Sequence, residues 1–252
     1  LCLIMVFTMI FTLASCSVNK LGENTDGETV TTTAKPPKVK EITQNAAFKD
    51  ANGRVVFTVD VVIPEISKNA EQRVVDYVNK VTGEIFDDAC TFAQNNVENA
   101  ARFMDKHGSD APWSKKINFE ATYMSGRFVC FLIKDSFSSS SAESEPIFST
   151  ICFDIVSGQK CTADFSAAKA AVLSTVKGKA LYDFYSNSIG LANKQLEMMD
   201  GIFDINNFYI AEEGMGFYFD RYLLDSTQSG TYRCVIPWAE LEGLFVHPEA
   251  VQ

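Results

Sequence analysis

The chain has 252 residues, 46% of them hydrophobic with 20 Phe and 8 Tyr, which excludes a disordered chain and provides for one large core or two small ones. Its formal net charge is −10. That balance disfavours partners bound by Lys and Arg neutralising phosphate, nucleic acid and anionic membrane surfaces among them; it suits a cationic partner, or more simply an acidic surface that keeps the chain in solution.

The first stretch, "LCLIMVFTMIFTLASC", carries no charge. Its apolar run ends at Leu13, too short for the roughly 20 residues of a membrane-crossing helix and within the roughly 7–15 of a secretory signal. Leu13-Ala14-Ser15-Cys16 resembles the lipobox of bacterial lipoproteins: an aliphatic residue, two small residues, then cysteine. The resemblance implies a signal peptide over 1–15 and lipidation of Cys16, whose thiol is the nucleophile that accepts the lipid. It places the mature chain on the cell membrane or outer membrane, facing the extracytoplasmic side, with the membrane as a partner through Cys16. Ser17, in place of the Asp that resembles an inner-membrane retention signal, points outward if the cell has two membranes. The alternative is a core strand or a conventional signal cut nearby.

Residues 16–44 are expected to be a flexible tether, since 17–44 hold no aromatic residue and too little apolar surface to offset ordering entropy. Such a chain reaches roughly 30 Å. "RVVFTVDVVIP" (54–64) reads as a strand closed by Pro64. Asn69 to Gln72 has the form of a capping box. After it Val74, Val78, Val81, Ile85, Ala89 and Phe92 recur at helical spacing, and Lys106-His107-Gly108 reads as the helix end. "INFEATYM" and "RFVCFLIKDSF" are strands about a Ser125-Gly126 turn. The serine-rich "SSSSAESEP" (138–146) leads to the strand "IFSTICFDI", and Ser157-Gly158 turns the chain into "KCTADF". A second helix is expected from Ser166, with Leu173, Val176, Ala180 and Phe184 on one face. "NNFYIAEEGMGFYFDRY" reads as a hairpin about Glu213-Gly214, and "TYRCVIP" as the last strand. The fold class is α+β: largely antiparallel sheets with two inserted helices.

Of the seven cysteines, Cys2 lies in the leader and Cys16 at the lipid site; Cys90, Cys130, Cys152, Cys161 and Cys234 lie in the body. Their spacing lacks the C-x-x-C pairs of common structural zinc sites. Cys152 and Cys161 flank the "IVSGQ" turn and are the candidate disulfide, because facing hairpin residues can fit disulfide geometry. The remaining cysteines read as small buried hydrophobes.

The chain has two histidines, His107 at the predicted helix end and His247 near the C-terminus, both read as structural or solvated. H-E-x-x-H, G-x-S-x-G and phosphate-loop patterns are absent from the sequence. Asp87 and Asp88 are adjacent on a helix, so they point about 100° apart and are not a ready acid/base pair. Glu212-Glu213-Gly214 reads as a turn, and "DGIFDINN" (200–207) departs from calcium-loop spacing and reads as a loop. Phe217, Tyr218, Phe219 and Trp238 are either core or, if exposed in a row, a ligand platform. No catalytic residue, metal or cofactor is expected.

"FDIVSGQKCTADF" (153–165) resembles the strand-turn-strand-helix entry of the bacterial domain of unknown function 3298, Phe-Asp-Leu-x-Thr-Gly followed by Asp-Leu/Phe. "FYIAEEGMGFYFDRY" is similar to its late hairpin and "GTYRCVIPWAEL" to its last strand. The resemblance implies an N-terminal α+β subdomain over 45–137 and an RsiV-like C-terminal α+β domain over 138–252. It also implies a binding role, since such envelope-facing modules occur in lipoproteins and in a lysozyme-sensing anti-sigma factor without supplying chemistry. Where many members carry a Gly-Gly-Ala-His-like segment this chain has "SSSSAESEP", so a role tied to that loop does not carry over. The function expected is a lipid-anchored, non-catalytic envelope protein that binds a lysozyme-type cationic protein. The alternatives are a peptidoglycan- or glycan-binding module and, third, a carboxylate-dependent hydrolase.

Overall fold

A computed structural model of the chain describes residues 35–139, 146–161, 169–187, 206–219 and 232–241, with 197, 200, 201, 203 and 204. The leader, Cys16, most of the serine-rich loop, the expected helix start at Ser166 and His247 lie outside the described residues, as do the side chains of Ala180 and Phe184.

The chain enters the structure at β1 (Lys38–Lys49), which pairs antiparallel with the 14-residue β2 (Val55–Lys68). The tether thus ends earlier than the sequence suggests. Ile42, Gln44, Ala46 and Phe48 alternate with exposed neighbours at the period of a strand buried on one face, and Lys38, Lys40 and Lys49 are charges typical of a protected edge. The strand β2 also runs on through Pro64 instead of stopping there. Its pairing with the next strand ends at Val61, so on that side the missing Pro64 N–H costs no ladder bond.

The helix α1 (Gln72–His107) then crosses back over β2. No capping box forms. Asn69 adopts φ 65°, a left-handed conformation that Asn tolerates, and its side-chain amide donates to the Pro36 carbonyl at 2.9 Å; the cap position falls to Glu71. The far end is as expected: Gly108 takes φ 61° and its N–H closes on the Met104 carbonyl. Val74, Val78, Ala89, Ala93, Ala100 and Met104 form the buried face, with Val81 and Ile85 partly buried beside them. The hydroxyl of buried Thr82 is spent on the Val78 and Asn79 carbonyls.

Beyond the helix, β3 (Trp113–Met124) lies parallel to β2, the one parallel pair described, because a helical crossover returns the chain in its original direction. Then β4 (Phe128–Ser138), β5 (Ile147–Asp154) and β6 (Gln159–Lys160) add antiparallel, giving a six-stranded sheet in sequence order. The helix α2 (Lys169–Asn187) precedes a second antiparallel sheet of β7 (Phe208–Ile210), β8 (Gly214–Phe219) and β9 (Tyr232–Pro237), followed by the short α3 (Trp238–Leu241).

Two cores meet at β4. Val129, Phe131 and Ile133 point into the core under α1, with Phe57, Val59 and Val61 of β2. Cys130 and Leu132 point the other way, into a core with Phe217, Phe219 and Ile236 of the second sheet and Val172 and Val176 of α2. The expected boundary at 137/138 therefore falls inside one sheet, since β4 on one side of it pairs with β5 on the other. The two tryptophans report the two cores separately, Trp113 beside Phe57 and Phe137, and Trp238 beside the second. In single-tryptophan proteins, Leu132→Ala should cost about 2–5 kcal/mol and lower the unfolding midpoint read by Trp113 as much as that read by Trp238. Two separated midpoints would show independent domains.

Candidate functional site

The residues that the sequence marks as candidates are not gathered into one site. The Phe217-Tyr218-Phe219 run is core on both faces: the Phe217 and Phe219 rings each lie 5.8 Å from Phe203, and Tyr218 lies 6.1 Å from Phe148. No exposed aromatic row is formed there. The Trp238 indole N–H donates to the Glu212 carbonyl at 3.2 Å, bracing the Glu212-Glu213 turn as structure. Asp87 and Asp88 are exposed on α1. His107 lies against Phe103, ring centroids 4.4 Å apart. Asp204 accepts from the Asn206 backbone N–H at 2.8 Å, a loop-forming contact before β7. Among the described residues no group of three or more His, Cys, Asp or Glu side chains is placed to hold a metal, and no helix is long and apolar enough to cross a membrane.

What sequence reasoning missed is a cleft of about 410 Å³ between β3 and the second sheet, lined by Glu120, Thr122, Tyr209, Glu213 and Arg233 among others. Glu120 is its electrostatic centre. Its carboxylate receives Lys134 at 2.7 Å and Arg233 at 3.4 Å, and the Arg233 guanidinium also sits 5.3 Å from the Phe148 ring. The Lys134 hydrogen bond, with the charge of Arg233 behind it, holds the Glu120 carboxyl below its usual range despite partial burial. Opposite, the Tyr209 ring occupies the space over Gly216, where any Cβ would collide with it. Burial pushes the Tyr209 phenol up, with Glu120 and Glu213 adding to the effect and Arg233 opposing it. The cleft thus presents an ionised, neutralised carboxylate and a protonated phenol. These are hydrogen-bonding groups, and Glu120 is no proton donor near neutral pH. Residues of three strands distant in sequence make it, so no local motif could have shown it.

A second cleft of about 200 Å³ is lined by Thr150, Cys152, Lys160, Cys161, Asn206 and Phe208. Here the expected disulfide is corrected. The hairpin does set Cys161 opposite Cys152, the Cys161 N–H donating to the Cys152 carbonyl at 2.7 Å, yet Cys152 is bonded to Cys130 across β4–β5 and Cys161 is a thiol. Cys152 has a cysteine neighbour on each side, and sequence spacing revealed the hairpin partner alone. Burial and the Asp154 charge push the Cys161 thiol up to about 12, against the pull of Arg127, so the protonated thiol is the prevailing form at neutral pH.

With this geometry in hand, the fold can be compared. A DUF3298 family protein of Pseudomonas aeruginosa PAO1 superposes with a TM-score of 0.56 at 8% identity, over 86% of this chain and 98% of that one. A DUF3298 family member from Bacteroides fragilis gives a TM-score of 0.52 at 14% identity, over 86% and 97%. The chain has the DUF3298 fold. This bears out the resemblance at the level of architecture. No protein-family model matches the sequence, and no curated protein matches it either.

The Glu120 cluster yields a pH prediction. A carboxyl depressed in the folded state contributes stability above its unfolded value, near 4.5, and loses it as pH falls through the folded value. Glu120→Gln should therefore flatten the acid limb of the stability curve below about pH 4.5. The group is partly exposed, so the loss at neutral pH should stay under about 1 kcal/mol after solvent screening. Denaturant titrations of both proteins from pH 3 to 7 measure it, and parallel acid limbs would show that the cluster contributes nothing.

Proposed function

We propose that this chain is a lipid-anchored envelope protein whose folded head, without catalysis of its own, binds a cationic protein of the lysozyme type. The lipid anchor rests on the lipobox-like Leu13-Ala14-Ser15-Cys16. An extracytoplasmic location is supported by the Cys130–Cys152 disulfide, a bond that persists on the oxidising side of a membrane. The observation that carries the partner class is on α1: residues 81–101 hold Glu84, Asp87, Asp88 and Glu98, all exposed, and no Lys or Arg. Glu84 and Asp88 stand at i,i+4, where like charges cost a few tenths of a kcal/mol, with Lys80 meeting Glu84 from the preceding turn at 3.9 Å. A cationic partner relieves that repulsion and is steered by the net charge of −10.

Calorimetric titration with a c-type lysozyme at low and physiological salt tests the reading. A soluble head for this purpose must begin at Ala34, since a cut at residue 45 would remove the first half of β1. Exposed charges steer more than they anchor, so each neutralisation in Glu84→Gln, Asp87→Asn and Asp88→Asn should weaken binding about two- to fivefold at low salt, and less at physiological salt. No heat at either salt removes this partner. The cleft at Glu120, Tyr209 and Arg233 favours a second reading, a peptidoglycan or glycan ligand held by hydrogen bonds. It predicts retention on purified peptidoglycan that Arg233→Ala abolishes and the α1 variants do not.

A further inference from the structure

Three cysteines stand in a row across three strands. Cys130 of β4 faces Cys152 of β5, and Cys161, just after β6, faces Cys152 from the other side; facing residues of antiparallel neighbours project from the same face of the sheet. Cys152 is therefore the middle sulfur, bonded to one neighbour and in cross-strand register with the other. Hydrogen-bonded facing residues have Cα atoms about 5.5 Å apart, within disulfide reach. We propose that this row is a thiol–disulfide exchange site, in which the Cys161 thiolate attacks Cys152 Sγ and displaces Cys130.

The step balances within the molecule. A Cys161–Cys152 bond forms as the Cys152–Cys130 bond breaks, Cys161 gives its proton to water, and the released Cys130 thiolate takes one back. It is redox-neutral and needs no co-reactant. The surroundings of the three sulfurs differ in the way that exchange requires. Cys161 and Cys152 both line the 200 Å³ cleft, and Cys161 is partly exposed, so its proton can leave to solvent. The leaving sulfur is fully buried, and the Ile210 backbone N–H donates to it at 3.3 Å, a hydrogen bond that stabilises a departing thiolate. That bond also ties the exchange to β7, because the same sulfur that leaves Cys152 is held by the second sheet. Asp154 on β5 opposes thiolate formation at Cys161, while Arg127 beside β4 favours it, and the Lys160 ammonium lines the cleft.

The sequence makes the test clean. Cleavage after Arg127, Lys134, Lys160 and Lys169 puts Cys130, Cys152 and Cys161 on three separate tryptic peptides. The full chain is held folded at pH 7.0 and pH 9.5, trapped by acid and N-ethylmaleimide, and its linked peptides are quantified by mass spectrometry. The thiolate fraction of a group titrating at about 12 rises about 300-fold between these pH values, and the initial exchange rate should rise with it. The expected result is Cys152–Cys161 peptide accumulating at pH 9.5 with newly alkylated Cys130, unchanged total thiol, and neither product in Cys161→Ser. Circular dichroism of Cys161→Ser confirms that this control is folded. Persistence of Cys130–Cys152 alone at pH 9.5 would overturn the proposal. So would the parallel appearance of pairs involving Cys90 or Cys234, which would mark scrambling of an unfolded chain.

Discussion

The fold depends on β4 being buried on both faces. From Phe128 to Ile133 every residue is buried, and from Val129 onward successive side chains belong alternately to the core under α1 and to the core of the second sheet. A one-residue slip would exchange those two sets, placing Leu132 where Phe131 packs and bringing Phe131 into the second core. Half-buried ion pairs hold that register at both ends: Arg127 with Asp154 at 3.2 Å and Lys115 with Asp135 at 2.7 Å. The disulfide from Cys130 to Cys152 fixes it in between. Everything that lies along the seam between the sheets inherits its position from this strand.

Both clefts are consequences of that seam. One opens where β3 passes the second sheet at Glu120 and Arg233, the other where β5 and the β6 turn pass β7 at Cys152 and Phe208. Each has one wall from the six-stranded sheet and one from the second sheet. Their side chains are therefore set by strand register, with no mobile loop needed to bring them together. A cleft so built suits recognition, because the ordering cost is met when the sheets pack and not when a ligand arrives. Tyr209 illustrates this, its ring held over Gly216, a position where only glycine leaves space for it.

Much of this was legible in the sequence, and the exceptions have physical causes. The spacing of Val74, Val78 and Ala89 predicted α1, and Gly108 its end, because both signals are local. Strands and turns around Ser125-Gly126, Ser157-Gly158 and Glu213-Gly214 were legible for the same reason. The run "FVCFLI" carried a further signal in its lack of alternation, the mark of a strand covered on both faces. Taken with the hairpin to β5, that run argues against a boundary at 137/138. Asn69 misled because a capping box and an isolated left-handed Asn look alike in sequence; a contact to Pro36, 33 residues away, decides between them. The pairing of Cys152 was hidden similarly, since both its neighbours satisfy local geometry and only β4–β5 register brings Cys130 to it.

Charge and geometry divide the functional question along a measurable line. The cleft around Glu120 is nearly self-neutralised, two cations on one carboxylate with Glu213 nearby, so a ligand there would be held by short-range hydrogen bonds that salt screens weakly. The exposed carboxylates of α1 act differently. Their field extends about 8 Å at physiological ionic strength and farther in dilute buffer, so a cationic partner would feel them before contact and lose part of that attraction as salt rises. Salt dependence of binding therefore tells which surface a ligand uses, even before any variant is made. A steep slope points to the helix face and a flat one to the seam.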